Sequence, residues 1–197
     1  DVGVHLFDIL RYFCGEIEEM HAITAVLQKT RTTVDEKGRI LTVECDADDT
    51  FMANFKFENN IIGHLHWSWY GPSEAIGIPF FTIYGTEGCI SGNTLIMKDG
   101  EKIDLQKLFE EEASEDVKKK FFPHGIKDPF ALETLEFIRA IEEGREMETS
   151  GWEGLKDLAA ATAILESSLL RRPVRVKEVE QGILANYERV INEYLEI

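Results

Sequence analysis

The run DDTFMANFKFENNIIGHLHWSWYG, residues 48–71, limits the fold more than any other stretch of the chain. Phe51, Ala53, Phe55 and Phe57 alternate with Met52, Asn54 and Lys56. After Asn59-Asn60, Ile62, His64, His66, Ser68 and Tyr70 alternate with Gly63, Leu65, Trp67 and Trp69. A period of two places successive side chains on opposite faces of a strand and cannot form one face of a helix. Asparagine pairs favour turns. The run therefore predicts an antiparallel hairpin with one oily face and one mixed face.

The rest of the chain is placed around this hairpin. DVGVHLFDILRYFC reads as a helix stopped by Gly15. IEEMHAITAVLQKT reads as a strand, and RTTVDEKGRILTVE as a loop or short hairpin turning at Lys37-Gly38. Short strands punctuated by Gly85, Gly88, Gly92 and Gly100 follow, then a charged surface helix and loop. Asp128-Pro129 marks a helix start, with Phe130, Thr134, Phe137, Ile138 and Ile141 as its inward stripe and Gly144 as its stop. Ser150 with Glu153 has the spacing of a capping box. Leu155, Leu158, Ala159, Thr162, Leu165 and Leu169 form the inward stripe of the next helix, and the tail reads as one more amphipathic helix.

A helix, a run of strands and a run of helices make an α+β fold: an open, mostly antiparallel β-sheet with helices packed on one face. The order is not βαβ. No Gly-x-Gly-x-x-Gly follows a strand, and no phosphate-binding Gly-Lys-Ser/Thr loop is present. The 197 residues carry no phosphate cradle of their own.

The net charge of −16 opposes binding to nucleic acid or to an anionic membrane, both of which attract cations. No run reaches the length of a membrane span, and no basic-then-apolar leader is seen. Cys14, Cys45 and Cys89 are odd in number and far apart, so neither a disulfide framework nor a zinc set is expected, and the cytoplasm is the expected location. His64 and His66 share a strand face, but nothing at suitable spacing completes a metal site.

The opening helix carries the candidate chemistry. With about 100° per residue and Asp1 at zero, His5 falls at about 40°, Asp8 at about 340° and Tyr12 at about 20°. The remaining arc is apolar except for Arg11. This thin titratable line is either the solvated edge of a packed helix or half of a site.

Asp1-x-Gly3-x-His5-x-x-Asp8, with Tyr12 and Gly15, resembles the start of the second domain of the Gfo/Idh/MocA oxidoreductases, the relatives of glucose–fructose oxidoreductase and inositol dehydrogenase. DDTFMANFKFENNIIGHLHWSW resembles that family's sheet hairpin, FFTIYGTEGCI its strand and turn, and FALETLEFIRAIEEGREMETSGWEGLKDLAAATAILESSLLRRPVRV its closing helix pair and last strand. The resemblance covers residues 1–176. It implies one α+β domain for substrate binding and oligomerisation there; residues 177–197 depart from the family ending and read as an appended helix.

The resemblance further implies an NAD- or NADP-dependent enzyme acting on a sugar, polyol or similar small molecule. The dinucleotide would be bound mainly by a Rossmann domain absent from this chain. His5 matches the family's catalytic histidine and Asp1 its helper. Tyr70 and His124 are expected to border the substrate. Gly3 either lets substrate or nicotinamide come close or is an ordinary helix-start glycine. Asp8 is expected to make a structural hydrogen bond. Trp67 and Trp69 are expected in the core or a sheet interface rather than as a sugar platform. Aromatic residues on both strand faces imply self-association through the open sheet, as a dimer or larger. The rival readings are a scaffold that keeps the fold without the chemistry, and a standalone small-molecule binder.

Overall fold

The computed structural model describes residues 2–69 and 81–196. The chain divides into two compact units, Asp1–Gly71 with Glu148–Ile197, and Pro72–Met147. Among the described residues every strand pairing is antiparallel.

The first unit begins with helix α1 (Val2–Cys14), which ends where Gly15 turns to φ 89° and its N–H caps Arg11. Strand β1 (Ile17–Ala25) runs into a two-stranded hairpin, β2 (Thr30–Val34) and β3 (Ile40–Glu44). Then come β4 (Thr50–Phe57) and β5 (Ile62–Ser68), turning at Asn60 with φ 69°. The hairpin predicted from alternation is therefore present, with Phe55 opposite Gly63 and Met52 opposite His66.

Alternation also fixes which face is buried. Met20, Ala22, Ala53, Phe55 and Phe57 point inward, and Phe55 meets Phe7 of α1 and Phe57 edge-on at 6.3 and 5.5 Å. His21, Ile23, Met52, Asn54, His64 and His66 stand on the exposed face. Gly63 has a steric reason. A Cβ there would lie 2.3 Å from the Phe55 ring, which fills the space a side chain would take.

In chain order the second unit comes next. It is a meander of β6 (Thr82–Tyr84), β7 (Gly88–Ser91), β8 (Thr94–Met97) and β9 (Lys102–Asp104). It continues through α2 (Leu105–Glu112), α3 (Glu115–Phe121), a 3-10 turn at Pro123–Gly125 and α4 (Pro129–Glu143). Asp104, Ser114 and Asp128 each accept a backbone N–H of the helix they precede.

Helix α5 (Gly151–Leu170) returns to the first unit, followed by β10 (Val174–Arg175), α6 (Val176–Glu180) and α7 (Arg189–Leu195). The main sheet has the order β10-β1-β4-β5. Because β10 is only two residues long, α5 finishes its work. Ser167 Oγ accepts the N–H of Ala22, and Ser168 Oγ accepts that of Thr24, both at 2.9 Å.

Four details differ from the sequence reading. First, α5 packs with its small face, Ala159, Ala160, Ala163 and Ile164, while Leu155, Leu158 and Leu169 are exposed. Small residues allow closer approach to a sheet than leucines do. Second, the stripe of α4 is exposed at Phe130, Phe137, Ile138 and Ile141. Third, Ser150 makes no side-chain cap, and the Glu153 carboxylate bonds Arg11 and Lys156. Fourth, the tail is two short helices rather than one.

Candidate functional site

The stripe on α1 lies where its period placed it. His5 and Tyr12 are exposed and Asp8 is half-buried. Among the described residues the imidazole of His5 and the carboxylate of Asp8 have no hydrogen-bond partner, so the structural bond expected for Asp8 is not seen. Asp1 and Tyr70 lie outside the described residues, as do Gly71, Pro72 and Ser73. A Cβ on Gly3 would meet Ala161 Cβ at 3.8 Å, an ordinary contact, so packing of α1 on α5 does not demand glycine there.

His124 belongs to the second unit, exposed on the 3-10 turn at φ 56°. It and His5 therefore sit in different units. His64 and His66 share the exposed face of β5, and among the described residues no three His, Cys, Asp or Glu side chains converge as a metal set. Trp67 is half-buried and meets the exposed Trp69 edge-on at 6.5 Å. The three thiols are free, and burial pushes that of Cys14 up.

The feature that pattern reading passed over lies behind this stripe. Arg11, treated as an interruption of the apolar arc, is buried. Its Nε and Nη2 take both oxygens of Glu16 at 2.9 Å. Nη2 also bonds the carboxylate of Glu153, while Nη1 reaches the Glu153 carbonyl at 3.2 Å and Asp157 Oδ1 at 2.6 Å. Lys156 bridges Glu153 and Glu16 at 2.8 and 3.3 Å. Burial works against the charge of Arg11, but the three carboxylates outweigh it and hold the guanidinium charged.

The carboxylates respond in opposite directions. Arg11 holds Glu16 below its ordinary range, and Lys156 with Arg11 does the same for Glu153. Burial pushes Asp157 up against the pull of Arg11, with the charge of Asp8 adding to the rise. A sequence signal existed: a lone Arg in an apolar arc must be paired if buried. Glu16 is only five residues away, but Glu153 and Asp157 lie more than 140 residues downstream and had no local signature.

A cleft of about 720 Å³ opens beside this cluster, lined by Arg11, Glu16, Glu58, Lys156, Arg175 and Lys177. His5, Asp8 and Tyr12 do not line it. A nicotinamide dinucleotide finds no fitting cradle in the described residues. Among the described residues all strand pairings are antiparallel, so no glycine turn there links a parallel strand to a helix.

The sequence pattern of the oxidoreductase family's C-terminal alpha/beta domain (Gfo/Idh/MocA) matches residues 1–176, and the chain belongs to that family. No curated protein matches it. Solved structures share its fold. An oxidoreductase from Agrobacterium radiobacter, in complex with NAD+, L-tartaric acid and magnesium, is 21% identical at a TM-score of 0.61, over 90% of this chain and 48% of that one. An oxidoreductase from Thermotoga maritima is 24% identical at 0.60, over 91% and 44%. A levoglucosan dehydrogenase, in complex with NADH and L-sorbose, is 19% identical at 0.61, over 89% and 49%. The chain thus spans about half the length of these structures. Among the described residues no helix is long and apolar enough to cross a membrane.

Proposed function

We propose that this chain is the substrate-side domain of an NAD(P)-dependent oxidoreductase that interconverts a hydroxyl and a carbonyl on a sugar, polyol or related small molecule. The observation that carries the reading is His5, exposed on a helix whose other side is anchored by Arg11. Oxidising an alcohol removes a hydride from carbon and a proton from oxygen, and the oxidised dinucleotide, when bound, would accept the hydride. A histidine suits the proton half, since its ordinary pKa lies near neutrality. Asp1, four residues earlier, serves as its helper by orienting the ring.

Gly3, Tyr70 and His124 are the proposed substrate contacts. The dinucleotide belongs mainly to a nucleotide-binding domain outside these residues. The exposed sheet face is the proposed site of self-association. It carries Ile23 and Met52, both about 70% exposed, beside His21, His64 and His66.

Steady-state assay of the full-length protein on a panel of sugars and polyols tests this. His5→Ala is expected to lower kcat by about 100-fold or more while nucleotide affinity stays unchanged. Unchanged turnover across the panel would favour the scaffold reading, in which the sheet face is the working surface. Tight NAD(H) binding by residues 1–197 alone would contradict the division of labour.

A further inference from the structure

The bonding of Arg11 is complete. A guanidinium carries five N–H donors, and here all five are used, on Glu16 Oε1 and Oε2, Glu153 Oε2, the Glu153 carbonyl and Asp157 Oδ1. The acceptors come from two separate places: the entry to β1 and the first two turns of α5. A forked, planar donor held from two directions fixes both the depth of a helix and its rotation about its own axis. Turning α1 by one residue, about 100°, would break every one of these bonds.

His5 lies six residues before Arg11, about 240° around the same helix. One face of α1 is therefore locked to α5 and β1, and the direction of the imidazole follows from that lock. Asp8 stands midway, three residues from each, and its charge is felt by Asp157.

We propose that Arg11 is the positioning residue for His5. Its fork sets the rotation of α1, and with it the line along which the imidazole meets a substrate hydroxyl. The inference rests on the reading of His5 as the proton-transfer group. It concerns the fork geometry of Arg11 and not its charge alone.

The test uses the full-length protein with Arg11→Lys, which keeps the charge but offers three donors that cannot span the three carboxylates. Arg11→Lys is expected to lower kcat by about 10- to 100-fold with KM changed less than about threefold. In hydrogen-exchange mass spectrometry α1 should lose protection about tenfold while β1 and β4 keep theirs. The ring signal of His5, read by selective histidine labelling, should move.

Wild-type kcat with an unmoved His5 signal in Arg11→Lys would overturn the proposal, since charge alone would then suffice. If Arg11→Lys does not fold, Glu153→Gln takes its place. It leaves the fork mostly paired and should move the same three readouts in the same direction, by about threefold. No change there counts equally against the proposal. The two readings fail separately. Full activity of His5→Ala with a moved ring signal in Arg11→Lys removes the proton-transfer role and leaves the positioning. A dead His5→Ala with an unaffected Arg11→Lys does the reverse.

Discussion

The backbone N–H of Tyr187 donates to Glu166 Oε1 at 2.6 Å, and the Asn186 amide donates to Oε2 of the same carboxylate at 3.0 Å. Glu166 is wholly buried within α5, and both donors come from the tail beyond residue 176. The extension is thus tied into the first unit. Ending the chain before Asn186 strands a buried carboxylate and should cost about 3 kcal/mol of stability, read by urea denaturation. Glu166→Ala should remove most of that difference in a double-mutant cycle. Additive effects would mean that the tail docks by other contacts.

Ser167 works on two neighbours at once. Its hydroxyl donates to the carbonyl of Arg172 at 2.7 Å and accepts the N–H of Ala22. Ser167→Ala leaves a buried backbone N–H without a partner and should cost about 1–3 kcal/mol. Ser168→Ala, at a part-buried position, should cost less. Equal losses in a denaturation series would refute this ordering.

Acid should loosen α1. Glu16 and Glu153 are held below the ordinary glutamate value of 4.5, so the folded chain binds fewer protons there than the unfolded chain does. Their contribution is present in full above that pH and is lost as pH falls through the lowered values. Asp157 has the opposite sign. Its raised folded value gives a contribution that is present below the ordinary aspartate value of 3.8 and is lost on going up in pH. Glu16→Gln should flatten the fall in urea midpoint between about pH 5 and pH 3. An unchanged slope would show that the acid response arises elsewhere.

Glycine is required at two sheet positions for different reasons. At Gly63 a Cβ meets the far end of the Phe55 ring, and at Gly88 it meets the Ile96 carbonyl oxygen at 2.4 Å. A ring can give way and a backbone carbonyl cannot. Gly63→Ala should cost about 1–3 kcal/mol and Gly88→Ala more, with thermal unfolding as the measurement. The reverse order would contradict the geometry.

These positions also show what the residue pattern reveals. Strand alternation identified the buried face of β4, and Asp128-Pro129 marked the start of α4, because both signals are local. The stripe of α1 was legible for the same reason. The packed face of α5 was not, since an amphipathic period shows which residues align but not which of two faces meets the sheet. Two partners of Arg11, Glu153 and Asp157, were hidden by sequence distance, and Glu153, read as half of a capping box, bonds Arg11 and Lys156. Asp49 belongs with these. It is buried and accepts the N–H groups of Leu27 and Gln28, fixing the base of the β2–β3 hairpin from more than 20 residues away.

The hydroxyls that α5 lends to β1 take the N–H groups of Ala22 and Thr24, which lie past the reach of the two-residue β10. A border with its donors already engaged offers no template to a passing strand, whether from a neighbouring molecule or a misfolded one. That stretch of β1 is therefore closed to strand addition by groups of the chain's own helix.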